Sequence, residues 1–139
     1  MKRLIIDLDG TLALPAPAAA PATASSAPAA PAAAADYARA VPDLALVARL
    51  RQYRLDGYQI VIHTSRNMRT YEGNVGKINV HTLPLILAWL ARHDVPFDEV
   101  HVGKPWCGLQ GFYVDDRAVR PSEFARCTAA EIDALLSAE

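Results

Sequence analysis

Residues 4–12 read LIIDLDGTL, an apolar run that ends in two aspartates one residue apart, followed by Gly10 and Thr11. A run of this kind, with no surface alternation, predicts a short strand over Arg3–Asp7 in the middle of a parallel sheet. Asp7 and Asp9 are thereby delivered to the carboxyl end of a rigid element, at a fixed separation from each other.

The rest of the chain alternates between strand and helix patterns. Asp43 is placed to cap a helix whose apolar face holds Leu44, Val47, Leu50 and Leu55, and Gly57 ends it. YQIVIHT (58–64) reads as a second buried strand. Thr82 precedes the helical pattern LPLILAWLARH, which tolerates Pro84 only in its first turn. EVHV (99–102) and FYVD (112–115) read as short strands, and TAAE (128–131) as a capping box opening a helix through Ile132, Leu135 and Leu136. This order predicts the α/β class: one domain over 1–139 built on a Rossmann-like open parallel sheet with helices on both faces. In such sheets ligands bind outside the carboxyl ends of the strands.

Composition removes several alternatives. Fourteen Lys and Arg against 15 Asp and Glu leave no bias toward nucleic acid or an anionic membrane. Cys107 and Cys127 form no metal or disulfide pattern, in keeping with reduced thiols. Residues 13–35 hold 14 alanines, 5 prolines and no charge. Five prolines argue against a membrane span, and acidic residues upstream argue against a signal peptide. The segment is expected to be a low-complexity loop in a soluble, cytoplasmic protein.

The four expected strand ends offer Asp7 and Asp9; Thr64 and Ser65; Lys104; and Asp115 and Asp116. Any one of these alone reads as a turn or a cap. Together, each leaving an apolar strand, they point to one site. DLDGTL, the Thr64 strand end, Lys104 and VDD resemble motifs I to IV of the haloacid-dehalogenase-like (HAD) phosphohydrolases. VIHTSRNMRTYEGNVGKINVHTLP and VGKPWCGLQGFYVDDRA resemble small HAD hydrolases associated with capsular polysaccharide synthesis.

The resemblance implies the HAD fold and a phosphatase of small phosphate monoesters, sugar or polyol phosphates of surface-polysaccharide metabolism. Asp7 matches the nucleophile that forms an aspartyl-phosphate, and Asp9 the acid–base group for the leaving alcohol and then for water. Mg²⁺ would be held by Asp7, the backbone carbonyl of Asp9 and Asp116, with Asp115 acting through water. Lys104 would neutralise charge on nucleophile and phosphoryl, and Thr64 would donate to a phosphate oxygen. Gly10 and Thr11 would turn backbone donors toward the phosphate.

Only ten residues separate Lys104 from Asp115, a short interval for this family, which keeps Lys77 as the alternative cation. Neither of the family's insertion points holds a segment able to form a cap domain. The loop 66–79 then becomes the candidate specificity element. Its Arg66, Arg69 and Lys77, with Asn67, Asn74 and the adjacent Ser65, suit an anionic, hydroxyl-bearing ligand, and they also suit an ordinary polar surface loop. Trp106 fits either sugar stacking or packing beneath that loop. An uncapped site calls for a large substrate or for a neighbouring copy of the chain, which makes a homo-oligomer an expectation. Two other functions fit the same residues: a catalytically weak binding or assembly module of a polysaccharide pathway, and a phosphatase of polymer ends.

Overall fold

The computed structural model describes residues 1–17 and 32–138. Its elements run β1 (Arg3–Ile6), β2 (Ala13–Leu14), α1 (Ala32–Arg39), β3 (Val41–Pro42), α2 (Leu44–Leu55), β4 (Gln59–His63), α3 (Val75–His81), α4 (Leu83–Arg92), β5 (Glu99–His101), α5 (Pro121–Arg126) and α6 (Ala129–Ser137). β1, β4 and β5 form a parallel sheet with β4 in the centre, in the register Ile5↔Val61 and Ile62↔Val100. Ile60, Val61 and Ile62 are all at most 2% exposed. Successive strand residues point to opposite faces, so both faces of β4 are covered.

The capped helices follow from local chemistry. The Asp43 carboxylate accepts from the N–H groups of Ala45 and Leu46, and Thr128 and Glu131 form the reciprocal box that opens α6. α2 contributes Leu46, Val47, Leu50 and Tyr53 to the core, and α4 contributes Ile86, Trp89 and Leu90. Leu44 and Leu55 are exposed, so the buried stripe of α2 runs through 46, 47, 50 and 53 rather than through its end leucines.

Three further expectations are corrected. First, no strand forms at 112–115, so among the described residues β1 is an edge strand, with Ile5 63% exposed. The chain instead turns back on itself at Cys107–Gly111, so tightly that a side chain at Gly111 would collide with the Cys107 carbonyl. The Tyr113 hydroxyl then donates to Pro105 O at 2.6 Å, which ties the segment to its own turn and leaves Phe112 and Val114 exposed.

Second, the run 13–35 is not loop at its ends. β2 pairs antiparallel with β3, and α1 begins at Ala32, as the high helix propensity of alanine allows. The loop expectation for 18–31 lies outside the described residues.

Third, 66–81 contains α3, capped by Asn74 Oδ1 on Lys77 N at 3.0 Å and anchored by fully buried Ile78. Ahead of α4, the Thr82 hydroxyl makes no cap bond and donates to Asn67 Oδ1 at 2.7 Å. Among the described residues no helix is long and apolar enough to cross a membrane.

Candidate functional site

The parallel sheet aligns the carboxyl ends of its strands, and backbone bonds extend that alignment past the strands themselves. Thr64 N donates to His101 O at 3.0 Å, and Lys104 N donates to Thr64 O at 3.1 Å. The loop after β5 is thus stitched to the end of β4. This brings Lys104 Nζ to 3.2 Å from Asp7 Oδ1, while Thr11 Oγ1 lies 3.4 Å from Asp7 Oδ2. Lys77, the alternative cation, is exposed on α3.

Asp9 has a different partner. Arg66 Nε and Nη2 donate to its two carboxylate oxygens at 2.9 and 2.6 Å, a bidentate pair. The Arg66 side chain is only 3% exposed and that of Asp9 is 32%. A charge so buried needs a partner close by, and Asp9 supplies it. Arg66 therefore does not project from a polar loop toward solvent, as the sequence suggested. Buried Thr64 holds the backbone of that turn, its hydroxyl oxygen accepting from Arg66 N at 3.1 Å.

Several expected ligand contacts are already engaged. Gly10 N donates to Ala13 O at 2.9 Å and Thr11 N to Leu8 O at 3.2 Å, so both backbone donors close the turn rather than face a phosphate. Gly10 is needed there for its φ of +79°. The Asn67 amide joins Thr82 and Thr70, which makes it a staple between the loop and α4. Ser65 is half-buried and its carbonyl accepts from Met68 N in the same turn. Arg69 is exposed, with its guanidinium 5.7 Å from the Trp106 ring centroid.

Asp115 and Asp116 are exposed, and Asp115 Oδ1 accepts from Arg117 N at 2.7 Å. Among the described residues no three carboxylate, imidazole or thiol groups converge as metal ligands. The expected Mg²⁺ set of Asp7, the backbone carbonyl of Asp9 and Asp116, with Asp115 acting through water, is oxygen-rich, which suits a hard cation.

Two tyrosines that the sequence did not single out complete the site. The Tyr37 ring lies 4.3 Å from the Arg66 guanidinium, and the Tyr113 ring 4.4 Å from Lys104 Nζ. Burial, and next the charge of Asp9, push the Tyr37 hydroxyl above its ordinary pKa, against the pull of Arg66. Burial likewise raises Tyr113. His63, at the end of β4, is held below the ordinary imidazole value by burial, then by Lys104 and His101, with Asp7 opposing. Tyr37 is the first aromatic after the alanine–proline run, the one sequence signal that marks it.

No protein-family model and no curated protein matches the chain. A Vibrio cholerae protein of known crystal structure, a structural-genomics target, is 53% identical over 99% of this chain and 98% of its own, with a TM-score of 0.83. The two belong to one family.

Proposed function

We propose that this protein is a phosphatase of small phosphate monoesters, with Asp7 as the nucleophile. The observation that carries the reading is the pairing at one strand end: Asp7 against Lys104 at 3.2 Å and Asp9 against Arg66, each cation arriving from another strand's carboxyl end. An Asp7 oxygen attacks phosphorus and the bond to the leaving alcohol breaks, giving an acyl phosphate on Asp7. Lys104 lowers the repulsion between the anionic nucleophile and the anionic phosphoryl group. Asp9, entering the cycle protonated, gives that proton to the departing alkoxide. As a carboxylate paired with Arg66 it then takes a proton from the water that attacks phosphorus and breaks the acyl-phosphate bond, which restores its starting form as phosphate leaves. The Thr11 hydroxyl stands 3.4 Å from Asp7 Oδ2, and Thr64 is fixed in the turn that carries Arg66.

The resemblance to HAD phosphohydrolases supports this scheme and extends it to Mg²⁺ and to sugar or polyol phosphates of surface-polysaccharide metabolism. Asp7, the backbone carbonyl of Asp9 and Asp116, with Asp115 through water, would hold that Mg²⁺, which would offset negative charge on the phosphoryl oxygens. The test is turnover of a panel of phosphorylated metabolites by the purified chain, with Asp7→Asn in parallel. Hydrolysis that depends on Asp7 supports the reading, and hydrolysis indifferent to Asp7 removes it.

A second reading, a binding or assembly module, is favoured by one observation: Leu109, Phe112 and Val114 expose 80% or more of their surface within one short segment. Asp7-dependent turnover separates the two.

A further inference from the structure

We propose that Tyr37 is a positioning residue for Asp9, acting through Arg66, so that the helix following the alanine–proline segment is part of the site. The inference rests on the catalytic reading of Asp9 given above. Two in-plane bonds from Arg66 to Asp9, at 2.9 and 2.6 Å, fix the guanidinium within its own plane. They leave it able to tilt out of that plane. The Tyr37 ring, 4.3 Å from the guanidinium carbon, blocks the tilt and is attracted to the charge through its π face. Asp9 keeps 32% exposure, so the carboxylate is oriented on one side and still reachable on the other.

Tyr37 is itself held from behind. Its carbonyl accepts from Ala40 N at 3.3 Å, and Ala40 O accepts from the buried Trp89 indole at 2.9 Å. One residue on, Val41 enters the β2–β3 pair opposite Leu14. α1 also receives a bond from Arg92 to Ala38 O at 3.4 Å. The ring is therefore placed by α4 and the small sheet, elements remote in sequence from Arg66. Its face, not its hydroxyl, makes the contact with the guanidinium.

The test compares Tyr37→Phe, Tyr37→Leu and Tyr37→Ala with the wild type, using two readouts on the full chain. The first is the Arg66 Nε–H resonance in a ¹⁵N–¹H spectrum, assigned by its loss in Arg66→Lys. It is expected to be slow to exchange in wild type and Tyr37→Phe, and shifted and fast to exchange in the other two. The second is turnover of the best phosphomonoester. kcat is expected to fall by roughly 2- to 30-fold in Tyr37→Leu and Tyr37→Ala, with KM little changed, and to recover in Tyr37→Phe. Tyr37→Leu fills most of the volume without a π face and keeps the comparison readable if alanine destabilises the fold. An unchanged Arg66 signal in Tyr37→Leu overturns the proposal whatever the turnover. A perturbed signal with unchanged kcat overturns the catalytic role. If the wild type hydrolyses no phosphomonoester, the phosphatase reading fails, and the resonance alone still decides whether Tyr37 positions Arg66.

Discussion

Asp7 and Asp9 stand two positions apart, yet each meets its own cation, and this division sets what substitutions should do. Asp7→Asn keeps the shape of the side chain and a carbonyl oxygen near Lys104 but cannot attack phosphorus, so turnover is expected to vanish while the thermal midpoint stays close to wild type. Asp9→Asn is expected to lower kcat by about 10²–10⁴-fold, the usual contribution of proton transfer. Steady-state kinetics on the two purified variants checks both, and near-normal rates in Asp7→Asn would refute the covalent scheme. Away from the site, Asp98 makes a different kind of prediction. Its N–H donates to Ile60 O at 2.8 Å and its carboxylate accepts from Ile60 N at 2.7 Å and from Arg54 at 2.8 Å. The Ile60 N–H foremost, and then Arg54, hold this carboxyl below its ordinary pKa. A depressed folded value means that its stabilisation is complete above the ordinary carboxylate range, about pH 4, and is lost as pH falls through the lower folded value. Asp98→Ala is expected to cost about 1–2 kcal/mol at neutral pH, the exposed end of the range for a hydrogen bond to a charged group. Asp98→Asn keeps an acceptor for Ile60 and should cost less, while removing this part of the acid dependence. Urea titrations between pH 3 and 7 would show either a slope difference between wild type and Asp98→Asn or none, and none would sink the argument.

Elements with strong local signals were readable in advance, and those that depend on distant partners were not. α2 and α6 announce themselves through Asp43 and the Thr128–Glu131 box, and β4 through three consecutive residues that all end up buried. α3 was missed because Gly76 and polar neighbours hide a single anchoring residue, Ile78. The strand expected at 112–115 failed because β-prone residues need a neighbour to pair with, and the turn at Gly111 turns them away. At the site, the strand-end placement of Asp7, Thr64 and Lys104 was legible from apolar runs. The partner of Arg66 was not, since Asp9 lies 57 residues away and Tyr37 reaches the guanidinium from another helix. α3 offers a clean test of an element held by one cap. Asn74→Ala removes the acceptor for Lys77 N and is expected to cost about 0.5–2 kcal/mol, with Asn74→Asp restoring most of it. Chemical denaturation measures this directly; a loss equal in Asn74→Ala and Asn74→Asp would mean that the cap is not what holds α3.

At the scale of the molecule, the parallel sheet is three strands wide among the described residues, and the consequences reach its surface. β1 keeps Ile5 exposed at the sheet edge, and Leu109, Phe112 and Val114 stand in solvent at 87%, 80% and 88% exposure. Among the described residues nothing folds over the strand ends as a separate unit. A net charge of −1 supplies little repulsion between copies. Clustered apolar side chains on a nearly neutral surface favour association, and a site that no separate unit covers among the described residues gains by it, because excluding water strengthens the Asp7–Lys104 and Asp9–Arg66 interactions. We therefore expect a dimer or larger assembly in which the 109–114 segment is covered. Burying a phenylalanine or valine side chain is worth about 1.5–3 kcal/mol. Phe112→Ser with Val114→Ser should then weaken association by more than roughly 100-fold and leave the fold unchanged, since neither residue belongs to the core. Light scattering over a concentration series, with circular dichroism as the control for folding, measures both halves. A wild type that stays monomeric throughout, or an assembly indifferent to the double substitution, would show that this segment is not the contact, and selectivity at the open site would then have to come from Arg69, Trp106 and the turn that holds them.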